Sequence, residues 1–222
     1  MTDSILQNNT ASKFGGGVYA LSSRLIKFIS TLFLANTVKQ GNGGGAYVSV
    51  CTTLHISDSS FQHNIATGTI FSQGGGLSLS QVQKSLVLKN ISFESNLVEA
   101  GPDTITKVTD FFQASGGGLH LDSILATANC TLSLLSFVSN TAIGHGGGAT
   151  LVDVTAGESL LNLTSWTAKN NSALTNGGGL AVLGATSVRM VGRSALENNV
   201  VQSIEGLVVG WRGQWYKAAT SI

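Results

Sequence analysis

Charge is scarce in this chain. Asp, Glu, Lys and Arg make up only 10% of its 222 residues and the net charge is +1, where a typical soluble domain is about a quarter charged. The few Lys and Arg are scattered, so nothing offers a phosphate backbone a basic face, and nucleic acid is excluded as a partner. No apolar run approaches the roughly 18 residues of a membrane-crossing helix, so no transmembrane segment is expected. The opening MTDSILQNNTASKF has neither a basic leader nor a long apolar stretch, so no signal peptide is expected in this sequence. Cysteine is limited to Cys51 and Cys130. They lie at different phases of the pattern described below and two units apart, too far for a disulfide if units stack about 4.8 Å apart. Both are therefore read as free thiols. Neither has a CxxC partner or a matching histidine pair, which argues against zinc. No metal and no cofactor is expected.

What the chain has in place of charge is glycine, 28 residues against a single proline. Gly-Gly-Gly occurs six times, beginning at Gly15, Gly43, Gly74, Gly116, Gly146 and Gly177, with spacings of 28, 31, 42, 30 and 31 residues. One unit of about 30 residues therefore recurs, with a single insertion. Seven asparagines keep phase with the triplets: Asn9, Asn36, Asn64, Asn96, Asn140, Asn171 and Asn199. Three residues before each lies an apolar side chain, namely Leu6, Phe33, Phe61, Phe93, Phe137, Ala168 or Leu196. Two residues after each lies another, namely Ala11, Val38, Ala66, Val98, Ala142, Ala173 or Val201.

Directly after each triplet, apolar residues alternate with polar ones, as in Ala46 and Val48 or Leu119 and Leu121, which is the period of a strand with one buried face. Eight and ten residues before the asparagines lies a second alternating pair, such as Ile56 with Leu54 or Leu88 with Leu86. In the last copy Arg189 falls at an apolar position, so Val188 and Met190 are expected to shift by one. Three short strands per unit cannot bury their faces alone, but can do so if each unit stacks on the next as a coil. The fold expected is all-β, a single-stranded parallel β-solenoid of about seven rungs over residues 1–210, with 211–222 an irregular tail or partial cap. Stacking places Phe33, Phe61, Phe93 and Phe137 in an aromatic column and the seven asparagines in an amide column, each amide able to donate and accept. The triplets suit corners that a β-carbon would block. Residues 97–115, with Pro102, Asp103 and Asp110, are the one long excursion.

FLAN at 33, FQHN at 61, FESN at 93 and FVSN at 137, with GGGAYV at 43 and GGGLSL at 74, resemble the FxxN and GGA(I,L,V) motifs of chlamydial polymorphic outer-membrane proteins. The resemblance runs over about residues 5 to 210. It implies a right-handed, pectin-lyase-like parallel β-helix displayed at the cell surface or extracellularly as an adhesin, this chain being a fragment of a longer solenoid.

Candidate chemistry is thin. Enzymes on β-helices gather charged side chains on one outer strand column, and the candidates for such a cluster here are His120, Asp122, His145 and Asp153. His120 and Asp122 are expected to point into solvent, with Thr150 beside His120 on the next rung. No pair of carboxylates stands ready as acid and base. Tyr19 and Tyr47 are expected to stack outward on neighbouring rungs, a surface suited to sugar rings or a protein partner. Sequons occur at Asn8, Asn90, Asn129, Asn162 and Asn170. Asn170 is expected to conflict with the adjacent amide column. With no cap in sight, self-association through open solenoid ends is also expected. The reading is a non-enzymatic surface scaffold or adhesin that binds a protein or glycan. The alternatives are a carbohydrate-active enzyme and a structural spacer.

Overall fold

The computed structural model describes residues 1–68, 72–100, 114–126, 129–155, 161–184 and 188–202. All its strands pair in parallel, as a chain winding repeatedly in one sense requires, and the class is a parallel β-solenoid. The tail at 211–222, and Pro102, Asp103 and Asp110 of the excursion, lie outside the described residues.

Each coil contributes to three strand columns and to a short sheet. In the first column Ala46 and Val48 pair with Leu77 and Leu79, in the second Leu54 and Ile56 with Leu86 and Leu88, and in the third Phe61 with Phe93. The short sheet holds seven strands, among them Thr37–Val38, Ile65–Gly68 and Thr141–Ala142. Among the described residues seven strands occur there and in the third column, whereas the triplet column has six, Val18–Ile29 to Leu180–Leu183. About seven rungs was therefore slightly high as a count of complete turns.

The expected separation into three short strands holds only in the later coils. In the earlier ones the strands fuse into Val18–Ile29, Ala46–Gln62 and Leu77–Glu94. These long strands bend at single left-handed residues, Ser22, Val50 and Gln81, whose φ is 53° to 54°. The last coil is shifted as expected, with Val188 opposite Leu161 and Met190 opposite Leu163. Arg189 then stands opposite the exposed Asn162 and points away from the core.

Alternation decides the interior. Phe33, Phe61, Phe93 and Phe137 are fully buried along with Leu54, Ile56, Leu77, Leu79, Leu86 and Leu88. Each such side chain contributes about 1.5–3 kcal/mol relative to exposure. A smaller cluster gathers the residues that follow the asparagines by two, Val38, Ala66, Val98 and Ala142.

The coil starting at Gly74 shows why three glycines are needed. Gly74 has φ +65°, a β-carbon on Gly75 would lie 2.4 Å from the Gly117 carbonyl oxygen, and one on Gly76 would lie 2.6 Å from that of Gly118. The first glycine is demanded by conformation and the other two by the backbone of the next coil.

Candidate functional site

The asparagines form a continuous ladder. Asn64 Nδ2 donates to Asn96 Oδ1 at 3.0 Å and to the Phe33 carbonyl at 2.9 Å, while the Asn64 backbone N–H donates to that same Asn96 oxygen at 3.0 Å. The pattern repeats from Asn36 to Asn199. Every amide inside the ladder therefore uses both its hydrogens and accepts twice, so burying it strands no polar atom. The residue before each asparagine is left-handed, as at Ala35, His63, Ser95 and Ser139 with φ 53° to 56°, and this swings the asparagine inward.

Beside the ladder the phenylalanines stack, with centroids 4.5 Å apart for Phe33 and Phe61, 5.2 Å for Phe61 and Phe93, and 4.9 Å for Phe93 and Phe137. Ala168 has no ring to continue the stack. Trp166, 1% exposed, fills the space instead, its centroid 5.1 Å from Phe137 and its Nε1 donating to the Leu132 carbonyl at 3.3 Å.

A further column was not anticipated. The residues just before the triplets, Phe14, Asn42, Gln73, Ser115, His145 and Asn176, line up as a ridge, with parallel pairing of Phe14 with Asn42, Gln73 with Ser115, and His145 with Asn176. In three coils the glycine corner folds the ridge residue back over the outward residue five positions later. Phe14 stacks on Tyr19, Ser115 Oγ lies 3.0 Å from His120 Nδ1, and Thr150 Oγ1 donates to the His145 carbonyl at 3.0 Å. That spacing of five across each triplet was the available sequence signal.

At the N-terminal end the ridge is aromatic and open. Tyr19 and Tyr47 stack at 5.9 Å, and Phe14 lies 5.6 Å from the first and 5.0 Å from the second. Phe14 is 38% and Tyr19 50% exposed, with exposed Leu21 on the same strand.

Further along, the ridge closes over the face where solvent access was expected. His120 has the outward register and pairs with Ser78 and Thr150, but it is only 2% exposed. Alternation fixes which face of the strand a residue takes, and the ridge, unseen in that pattern, then covers the face. Burial pushes the His120 pKa down to about 3, and its Nε2 has no partner among the described residues. Asp122 is half-buried and accepts from Ser123 Oγ at 2.9 Å. His145 lies in the ridge, where Asn176 Nδ2 is 2.9 Å from its Nδ1 and burial lowers its pKa. Asp153 is exposed at a left-handed corner, φ 47°. The four thus divide among strand, ridge and corner. Among the described residues no group of three His, Cys, Asp or Glu side chains could hold a metal ion. Cys51 and Cys130 are free, and burial raises the pKa of each to about 11.

Ladder, stack and glycine corners define a parallel β-solenoid of polymorphic-membrane-protein-like repeats. The Chlamydia polymorphic membrane protein repeat matches residues 3–21, the segment that carries Asn9 and the first triplet. That repeat is associated with outer-membrane or surface proteins. The chain is also similar to metabotropic glutamate receptor-like protein R of Dictyostelium discoideum, 28% identical over 109 residues. The match covers 48% of this chain and spans only 7% of that protein. No solved structure matches the chain significantly.

Proposed function

We propose that this chain is a non-enzymatic, adhesin-like scaffold of a cell-surface or extracellular protein, and that it engages a protein or glycan ligand through the face formed by Phe14, Tyr19 and Tyr47. The supporting observation is a stack of three rings, exposed Phe14 and Tyr19 with half-buried Tyr47, in which the two tyrosines are held on strands that pair residue by residue with the neighbouring coil. Rings fixed this way lose little conformational freedom on binding and offer both apolar faces and hydroxyl groups. The low charge of the chain suits an uncharged ligand.

An enzymatic role centred on His120, Asp122, His145 and Asp153 needs a group that solvent and substrate can reach. The burial of His120 weighs against it. The test is a glycan array and a cell-binding assay with the intact chain and with a Tyr19→Ser, Tyr47→Ser double variant whose circular dichroism is unchanged. Binding lost in the variant supports the reading, and equal binding by both removes this face from it. Reducing sugar released from polyuronates, and abolished by Asp122→Ala, would replace it with the enzymatic one.

A further inference from the structure

The ladder divides the asparagines of this chain into two populations. Ladder asparagines are each followed two residues later by an apolar residue, and Val38, Ala66, Val98 and Ala142 among these build the smaller core cluster. None of them can therefore sit in an Asn-X-Ser/Thr sequon. Five of the remaining asparagines do sit in sequons, Asn8, Asn90, Asn129, Asn162 and Asn170, and all five are exposed. Asn170 adjoins the buried ladder residue Asn171, yet with φ 56° it turns outward, so the conflict expected from the sequence does not arise.

The five occupy particular sides of the coil. Asn129 and Asn162 point outward from the second column, Asn90 turns the corner between the second and third, and Asn8 and Asn170 lie at the corner before the ladder. None lies on the first-column face with Tyr19 and Tyr47. Nor are the existing contacts obstacles. Asn129 uses its Oδ1 to accept from Thr131 Oγ1 at 3.0 Å, and Asn90 uses one Nδ2 hydrogen to reach Asp58 at 2.8 Å. A glycosylated amide retains its oxygen and one N–H.

We infer that these five asparagines are acceptor sites for N-linked glycans, which clothe two sides of the solenoid and leave the aromatic face bare. In the transfer, Nδ2 bonds to the anomeric carbon of a lipid-pyrophosphate-linked oligosaccharide. The carbon–oxygen bond to the pyrophosphate breaks, the lipid pyrophosphate leaves, and one amide proton is lost to a base of the transferase. Only the role of the bare face rests on the binding function proposed above.

The test is expression of the full chain behind a secretion leader in eukaryotic cells. Peptide mapping follows after an amidase that converts glycosylated Asn to Asp, with the intracellular pool mapped alongside the medium. Conversion at the five sequons is expected, and so is a quintuple Asn→Gln variant that still unfolds cooperatively but at a lower midpoint, because Asn8, Asn90 and Asn170 hold left-handed φ of 53° to 58° that asparagine tolerates better than glutamine. Unmodified sequons in both pools, or a quintuple variant that loses the cooperative transition, would overturn the assignment. Binding in the glycan-array assay should be equal before and after deglycosylation. Binding that appears only after sugar removal overturns the bare face, whereas binding absent from both forms counts against the aromatic site alone.

Discussion

Asn96 Nδ2 lies 2.9 Å from Asn140 Oδ1 although the two residues are 44 positions apart. Elsewhere in the ladder the separation is 27 to 32 positions with the same geometry. The insertion in this coil leaves the ladder undisturbed, so the ladder, and not the length of chain between its members, sets the register. Asn96→Ala would take the acceptor from both the Asn64 side-chain amide and the Asn64 backbone N–H, and the side-chain donor from the Phe61 carbonyl, while the Asn140 oxygen keeps the backbone N–H of residue 96. The expected loss is roughly 3 kcal/mol or more, read as a lower urea midpoint. Asn9→Ala, at the exposed end, should cost less than about 1 kcal/mol.

Trp166 and Ala168 trade volume. Ala168→Phe alone should overpack the core and destabilise by about 1–3 kcal/mol, and Trp166→Leu alone should leave a cavity at a similar cost. Combined, the two changes restore a ring to the stack and should recover most of the loss, giving a coupling energy of opposite sign in a double-mutant cycle. Simple addition of the two losses would show that the residues do not share one space.

Backbone conformation separates two other substitutions. Gly75→Ala would place its β-carbon 2.4 Å from the Gly117 carbonyl oxygen, and so should abolish a cooperative unfolding transition. Val50 is β-branched at φ 53°, a conformation costing such a residue roughly 1–2 kcal/mol. Val50→Asn should therefore raise the melting temperature, since asparagine tolerates this region.

Acid should weaken the fold through His120. The unfolded pKa is 6.5 and the folded value is about 3 because burial disfavours the charged form. Above pH 6.5 both states are neutral and the contribution is flat. Below it the unfolded chain takes up a proton that the native state refuses, so stability falls continuously until about pH 3. Between pH 6.5 and 5 this amounts to roughly 2 kcal/mol, and His145 acts in the same direction. Unfolding midpoints of His120→Gln should show a visibly shallower pH dependence over that range.

The thiols give a simple control. With both pKa values raised to about 11 by burial, Cys51 and Cys130 should react slowly with a thiol reagent at neutral pH and rapidly once urea unfolds the chain.

The strand columns and their partners could be read from the sequence because stacking repeats the same requirement in each coil. A phenylalanine at 33, 61, 93 and 137, or an asparagine three positions later, signals through repetition what one copy would not. The corners were less visible. Ser22, Val50, Gln81, Ser123 and Asp153 share a left-handed conformation but span four residue types, because the bend admits several side chains. The ridge was hidden for a related reason, since Phe14, Asn42, Gln73, Ser115, His145 and Asn176 have in common only their place before a triplet. Missing the ridge made His120 look exposed. Trp166 was overlooked because its contribution is volume delivered from a neighbouring position, which a column-by-column pattern does not record.

Because the coils carrying Phe33, Phe61, Phe93 and Phe137 present their neighbours with the same amide, ring and glycine corner, an in-frame duplication or deletion of one such unit leaves both new neighbours with compatible surfaces. Copy number can thus drift without refolding the remainder. A lineage carrying this gene can lengthen or shorten its rod in fixed steps, as a ruler is extended by adding identical divisions.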